Sequence, residues 1–450
     1  MERFILEDLK KWKESKGRKP LILRGARQVG KTWILKEFGR LCYDNFAYFN
    51  FDENTEYKQF FETTKNVERI LQNLTMASGQ KINGDKTLII FDEIQECPNA
   101  LNALKYFCET APQYHVACAG SLLGITLSAA GFPVGKTDFI DMYPMTFSEF
   151  LIAFGEENYV EYMRSISDIE NIPDAFFNPL TEKLKMYFIT GGMPEVVYNW
   201  VNERDVETVQ RTLSNILIAY EHDFGKHPTA STVPKISLVW KSIPSQLAKE
   251  NKKFLYNTIK EGARAREYED ALQWLVNAGL VRKIYRCNQP RLPLSQYDDI
   301  GAFKIYLGDV GLLRRMSYLS PGAIAEGNRL FVEFKGALAE NYILQAALKQ
   351  FEVLPRYWAM DKPRYEVDFL IQRGDDIIPV EVKSDINIDS KSLKKYAEIY
   401  PDNAKIRIRF SMRNLRLDGN IINVPLFMAD YADKLIALGL KGYEGGQLSK

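Results

Sequence analysis

Gly25-Ala26-Arg27-Gln28-Val29-Gly30-Lys31-Thr32 places four residues between two glycines and follows the second with Lys-Thr. The apolar run Pro20–Leu23 leads into it, and Trp33–Phe38 leads out with a helical pattern. Strand, glycine-rich loop and helix in that order aim a row of backbone N–H groups and the positive end of a helix dipole at one point. Gly25 and Gly30 let the chain fold closely around phosphates. Lys31 reaches the β and γ oxygens, and Thr32 offers a hydroxyl to Mg²⁺. The stretch predicts a nucleoside-triphosphate site built from residues 25–33, Gly25 to Trp33.

A partner for that loop lies about sixty residues downstream. Thr87-Leu88-Ile89-Ile90-Phe91-Asp92-Glu93 reads as a buried strand ending in two adjacent carboxylates. Asp92 is placed to hold Mg²⁺, and Glu93 to polarise an attacking water, because ligands of such sheets sit at the carboxyl ends of the strands. A further strand, His115–Ala119, runs into Gly120-Ser121, where Ser121 could sense the γ-phosphate. An ordinary strand-to-turn serine reads the same way.

At 450 residues the chain exceeds one ordinary core, and 46% hydrophobic with 26% charged residues is a globular composition. A net charge of +1 excludes an overall nucleic-acid or membrane signature, leaving anionic partners to local patches. Five cysteines without a Cys-x-x-Cys predict small buried thiols in a reducing, cytoplasmic setting. Three histidines give a His-rich metal site or a Ser-His-Asp triad little to draw on. The N-terminus lacks the pattern of a signal peptide, and no apolar run is long enough to span a bilayer, so no membrane partner is expected.

These motifs together resemble the AAA-plus ATPases, in particular a bacterial and archaeal group whose ATPase domain is fused to a C-terminal domain of unknown function. Also similar to that group are Ala-Gly-Ser-Leu-Leu (119–123), Tyr-Pro-Met-Thr-Phe-Ser-Glu-Phe (143–150), Gly-Gly-Met-Pro-Glu-Val (191–196) and Leu-Gly-Asp-Val-Gly-Leu-Leu (307–313). The resemblance implies ATP hydrolysis and a five-stranded parallel sheet of order 5-1-4-3-2 with a helical lid. It also implies a homo-oligomer whose sites are completed across subunits. Gly135-Lys136 departs from the group, where arginine often follows the glycine. An arginine finger therefore stays open among Arg204, Arg211, Arg264, Arg266 and a neighbouring subunit.

Two further regions carry chemistry. Glu267–Val281 patterns as an amphipathic helix, and with a helix near 234–250 and the strand-like Val281–Tyr285 and Phe303–Leu307 it predicts a winged helix. Lys249, Lys252, Lys253, Lys260, Arg264 and Arg266 cluster before that helix and could neutralise DNA phosphates, although winged helices also serve as packing modules. In the C-terminal part, strands 366–371 and 377–383 flank Arg373-Gly374-Asp375-Asp376, a hairpin signal. A two-residue loop at 374–375 sets Asp368 opposite Glu381, with Cβ atoms about 5 Å apart, where like charges destabilise the pair and a divalent cation would reverse the sign. Lys383 shares a strand face with Glu381. Asp, then Glu-x-Lys, resembles the core of the PD-(D/E)xK nucleases. That resemblance implies Mg²⁺ or Mn²⁺ held by Asp368, Glu381 and Glu340, with Lys383 catalytic.

The expected architecture is α/β in four parts. Residues 1–150 form an AAA-plus P-loop domain, 151–228 a helical lid, 229–313 a winged-helix-like region, and 329–450 a restriction-endonuclease-like domain. Two functions fit: an ATPase acting on DNA with a metal-dependent nuclease domain, and a nucleotide-controlled binding or regulatory protein that keeps that domain as an inactive scaffold.

Overall fold

The computed structural model describes residues 1–120, 135–226, 229, 231–249, 253–322, 331–383 and 390–445, with backbone alone for 331–335. Ser121, His227 and Lys252 lie outside the described residues. The chain forms two compact units, one of Glu2–Tyr143 with Trp274–Leu280 and the other essentially of Pro144–Gln273 with Val281–Lys450.

In the first unit, strands β1 (Leu21–Arg24), β2 (Asn45–Asn50), β3 (Thr87–Asp92), β4 (His115–Ala119) and β5 (Asp138–Asp141) form one sheet of order β2-β3-β4-β1-β5. All four pairings are parallel. This is the order 5-1-4-3-2 that the resemblance implies. Every residue of β3 is buried, as expected where helices cover both faces of a parallel sheet. One face packs on an aromatic cluster in which Phe91 meets the rings of Phe49, Phe51, Phe61 and Phe107. Helix α1 (Ile5–Glu14) buries Ile5, Leu9 and Trp12, and helix α2 (Lys31–Cys42) begins at the end of the glycine-rich loop.

The second unit combines helices, among them Phe147–Ala153, Asp174–Thr190, Pro194–Glu203 and Val206–Asp223, with a mixed sheet. Its strands are β6 (Val281–Cys287), β7 (Asp298–Leu307), β8 (Arg356–Met360), β9 (Tyr365–Arg373), β10 (Asp376–Val382), β11 (Arg407–Ser411), β12 (Arg416–Asp418) and β13 (Ile421–Pro425). The order is β12-β13-β11-β10-β9-β8-β6-β7. The β6–β7 hairpin, read from sequence as part of a winged-helix region, thus belongs to the same sheet as the C-terminal strands, joined where β6 runs parallel to β8 at Arg286 and Tyr357.

The motifs at 191–196 and 307–313 meet inside this unit and are structural. Asp309 is fully buried and accepts N–H bonds from Gly192 at 2.7 Å and Leu312 at 3.0 Å, the latter at the N-terminus of helix Val310–Met316. Gly191 has φ +70°, and a Cβ there would stand 2.2 Å from the Asp309 carboxylate. Among the described residues no helix is long and apolar enough to cross a membrane, and all five cysteines are free thiols.

Candidate nucleotide site and a carboxylate cluster

In the sheet order, β4 separates β3 from β1, and Leu23 is level with Ala119 while Phe91 is level with Cys118. Their carboxyl ends therefore open on one edge, where the loop after β1 and the acids after β3 converge. Gly25 has φ +153°, and a Cβ on it would lie 2.3 Å from the Met142 carbonyl oxygen at the end of β5. Gln28 and Gly30 also have positive φ, 65° and 95°. Three such residues close together curl residues 25–30 into a nest ahead of α2, whose first N–H groups have no partner within the helix. Arg3, buried just before α1, donates to the carbonyls of Val29 (3.0 Å) and Tyr143 (2.7 Å), fixing the loop from the outside.

Lys31 is buried, and its Nζ donates to the carbonyls of Gly25 (2.9 Å) and Ala26 (2.8 Å). Burial pulls its ammonium down to about 8, against the pull of Glu93 and Asp92, while Arg27 adds to the lowering. The Thr32 hydroxyl donates to Asp92 Oδ2 at 2.8 Å, and the Glu93 N–H donates to Asp92 Oδ1 at 3.1 Å. Tyr48 on β2 donates its hydroxyl to the same Asp92 Oδ2 at 2.8 Å. Burial, then Asp92, pushes the Tyr48 phenol upward, and Lys36 Nζ stands 3.5 Å from the centre of its ring. Glu93 itself is in the left-handed region, φ 48° and ψ 45°, and its Oε2 accepts from the Gln95 amide. Trp33, on the first turn of α2, is 46% exposed.

The residues from Gly25 to Trp33 fit a triphosphate: a nest a side chain would fill, a buried ammonium at its base and a helix start beside it. Thr32 and Asp92 would share Mg²⁺, two oxygen donors already in contact suiting a hard cation. Tyr48 and Arg3 were missed from sequence. Neither sits within a motif, and their roles depend on which strand neighbours β3 and where α1 packs.

In the other unit the hairpin register runs from Arg373–Asp376 to Phe369–Val380, one pair short of the expected Asp368–Glu381. Gly374, with φ +56°, serves the two-residue loop. Asp368 Oδ2 accepts the backbone N–H of Val382 at 2.8 Å, and Lys383 Nζ lies 2.7 Å from Glu381 Oε1. The other oxygen, Glu381 Oε2, is buried and accepts no hydrogen bond from the described residues. Glu340 lies on helix Phe331–Ala347, 4% exposed, and accepts from the Tyr306 hydroxyl at 3.0 Å. Lys304 was not anticipated. Its side chain is fully buried, with Nζ 2.5 Å from Glu366 Oε1 and 4.0 Å from Glu340 Oε2. Glu366, Glu340 and Asp368 together outweigh burial and hold that ammonium above its ordinary value. Among the described residues no group of three or more His, Cys, Asp or Glu side chains is arranged to hold a metal ion. The acids assigned to Mg²⁺ or Mn²⁺, Glu340, Asp368 and Glu381, are therefore a poor fit to that ion as they stand, because an ammonium already lies among them.

Residues 17–151 match the family described as an AAA domain. This stretch is an AAA-type domain. Downstream of the AAA domain, residues 181–322 and 335–427 match two domains of unknown function, DUF8612 and DUF4143. No curated protein matches the chain. Among solved structures it is similar to the Walker-type ATPase PABY2304 of Pyrococcus abyssi, at 13% identity and TM-score 0.44, over 69% of this chain and 94% of that one. It is also similar to the Aeropyrum pernix ORC1 protein in complex with DNA, at 13% identity and TM-score 0.30, over 70% and 90% of the two chains. The Thermotoga maritima RuvB Holliday junction branch migration motor matches at 14% identity and TM-score 0.29, over 64% and 86%. Likeness at this level says nothing of substrate or partner.

Proposed function

We propose that this protein hydrolyses ATP at residues 25–33, 92 and 93 and acts on DNA as a nucleotide-controlled regulator. The contact of Thr32 with Asp92 beside a buried Lys31 carries the ATPase reading. Mg²⁺, held by Thr32 and Asp92, would neutralise charge on the β and γ oxygens. Lys31 would exchange its two loop carbonyls for phosphate oxygens. Glu93 would leave the Gln95 amide to orient the attacking water and take its proton as the β–γ bond breaks. Substituting Lys31→Ala should abolish ATP turnover in a coupled phosphate-release assay without altering the circular dichroism spectrum. Wild-type turnover in that variant refutes the assignment.

Action on DNA draws support from Lys260, Arg264 and Arg266, all exposed at the start of helix Ala265–Asn277. Neutralising backbone phosphates makes affinity fall steeply with salt. Arg264→Glu with Arg266→Glu should weaken duplex binding in fluorescence anisotropy at least tenfold at low salt. An unchanged affinity and salt slope would remove DNA contact from this surface. The regulatory reading is preferred over metal-dependent cleavage because of Lys304, whose ammonium sits among the acids of the nuclease-like core. In this reading Lys383 pairs Glu381 instead of serving catalysis.

A further inference from the structure

The cluster around β9 and β10 holds four carboxylates, Glu340, Glu366, Asp368 and Glu381, and two ammonium groups, Lys304 and Lys383. It lies in a different unit from the nucleotide site. Lys304 and Tyr306 both come from β7, two residues apart and so on one strand face. Both reach the acids: Lys304 contacts Glu366 and Glu340, and Tyr306 contacts Glu340. An ammonium buried this completely is costly unless fully compensated, so its position is determined by the acids around it. Those acids have the same need. Asp368 and Glu381 lie on the paired strands β9 and β10, Asp368 accepting the Val382 N–H, and one Glu381 oxygen is buried without a donor among the described residues.

We infer that Lys304 is a built-in cation: its ammonium takes the place of a divalent ion in this carboxylate cluster and closes the cluster to Mg²⁺ and Mn²⁺. The two occupants are mutually exclusive. A divalent ion draws carboxylate oxygens to about 2.0–2.6 Å, inside the space that Lys304 Nζ holds between Glu366 and Glu340. Lys304 supplies charge and hydrogen-bond donors, but it can neither acidify a water nor give up coordination positions to a substrate. The wild-type cluster is thus a charge-compensated polar core, and replacing the lysine with a neutral chain of similar length should convert it into an acid-rich site open to a metal.

The test compares nucleotide-free full-length wild type with K304M and with K304M/E366Q. The double variant removes the direct partner of the lysine together with it, which guards against misfolding from an uncompensated buried charge. Bound Mn²⁺ is read by electron paramagnetic resonance as loss of the free-ion signal. Thermal midpoints are recorded with and without the ion. Any Mn²⁺ at Thr32 and Asp92 is common to all proteins and cancels in the comparison. The expected result is one additional Mn²⁺ per chain in K304M/E366Q, and in K304M if it folds, with a midpoint that rises on adding the ion. Adding Glu381→Gln should abolish the gain. Mn²⁺ binding by wild type that Glu381→Gln removes would overturn the inference. So would the absence of any gained ion in a folded K304M/E366Q protein.

Discussion

Replacing Tyr48 with Phe removes one hydroxyl and leaves the ring, its contact with Lys36 and the β2–β3 pairing in place. Among the described residues that hydroxyl is one of three donors on the Asp92 carboxylate, with Thr32 and the Glu93 N–H. A hydrogen bond to a charged group is worth about 1.5–3 kcal/mol, and partial exposure of Tyr48 brings the expected loss to the lower end. Tyr48 and Thr32 meet the same oxygen, Oδ2, so losing Tyr48 frees the carboxylate to rotate about its χ2 torsion away from the geometry it shares with Thr32. The consequence falls on orientation of the metal ligand and not on the phosphate nest, which Tyr48 does not touch. In steady-state ATP hydrolysis, kcat should therefore fall roughly tenfold, equivalent to about 1.4 kcal/mol. The Mg²⁺ concentration giving half-maximal rate should rise severalfold, and KM for ATP should change less than twofold. A Tyr48→Phe protein with unchanged kcat and unchanged Mg²⁺ dependence would refute the placing of Tyr48 behind Asp92. A raised KM with constant kcat would refute it equally, because that pattern belongs to lost ground-state binding.

Gly25→Ala forces a Cβ to within 2.3 Å of the Met142 carbonyl at a φ that side chains rarely adopt; the variant should lose about 1–3 kcal/mol in urea denaturation and lose the thermal shift that ATP gives the wild type. An ATP-induced shift equal to wild type would show that the loop does not need this glycine. Lys31 gives a pH dependence whose sign follows from its lowered value of about 8 in the folded protein against 10.5 unfolded. Below pH 8 both states carry the proton; between 8 and 10.5 the unfolded state binds more, so the contribution of Lys31 to stability rises with pH across that window. ATP binding, which favours the charged ammonium, should take up protons near pH 8, visible as a buffer-dependent enthalpy in calorimetry that Lys31→Met abolishes. Binding without proton uptake at pH 8 would contradict the buried state of this lysine.

The nucleotide domain was legible from sequence because its signals are local. The loop spacing, the apolar run of 87–91 ending in Asp92-Glu93, and short strands between helical patterns each follow from neighbouring residues, and the sheet order came with the resemblance. The hairpin register from Arg373–Asp376 to Phe369–Val380 was equally readable, since a two-residue loop at Gly374-Asp375 leaves one pairing. Contacts between distant strands could not be read. Tyr48 reaches Asp92 because β2 lies beside β3, and Lys304 reaches Glu366 across 62 residues because β7 belongs to the C-terminal sheet. A lone lysine in Phe303-Lys304-Ile305-Tyr306-Leu307 is a signal, since a strand rarely buries one without an acid. The acid it points to is fixed by topology.

The junction of β6 with β8 has a bearing on inheritance. Residues 181–322 and 335–427 match separate families, yet strands from both belong to one sheet, and the Lys304–Glu366 ion pair has one partner in each. Neither stretch is a free-standing module. A lineage that exchanged one of them alone would uncover a strand edge at β8 and strand a buried charge on each side of the cut, so the two are bound to evolve as a linked pair.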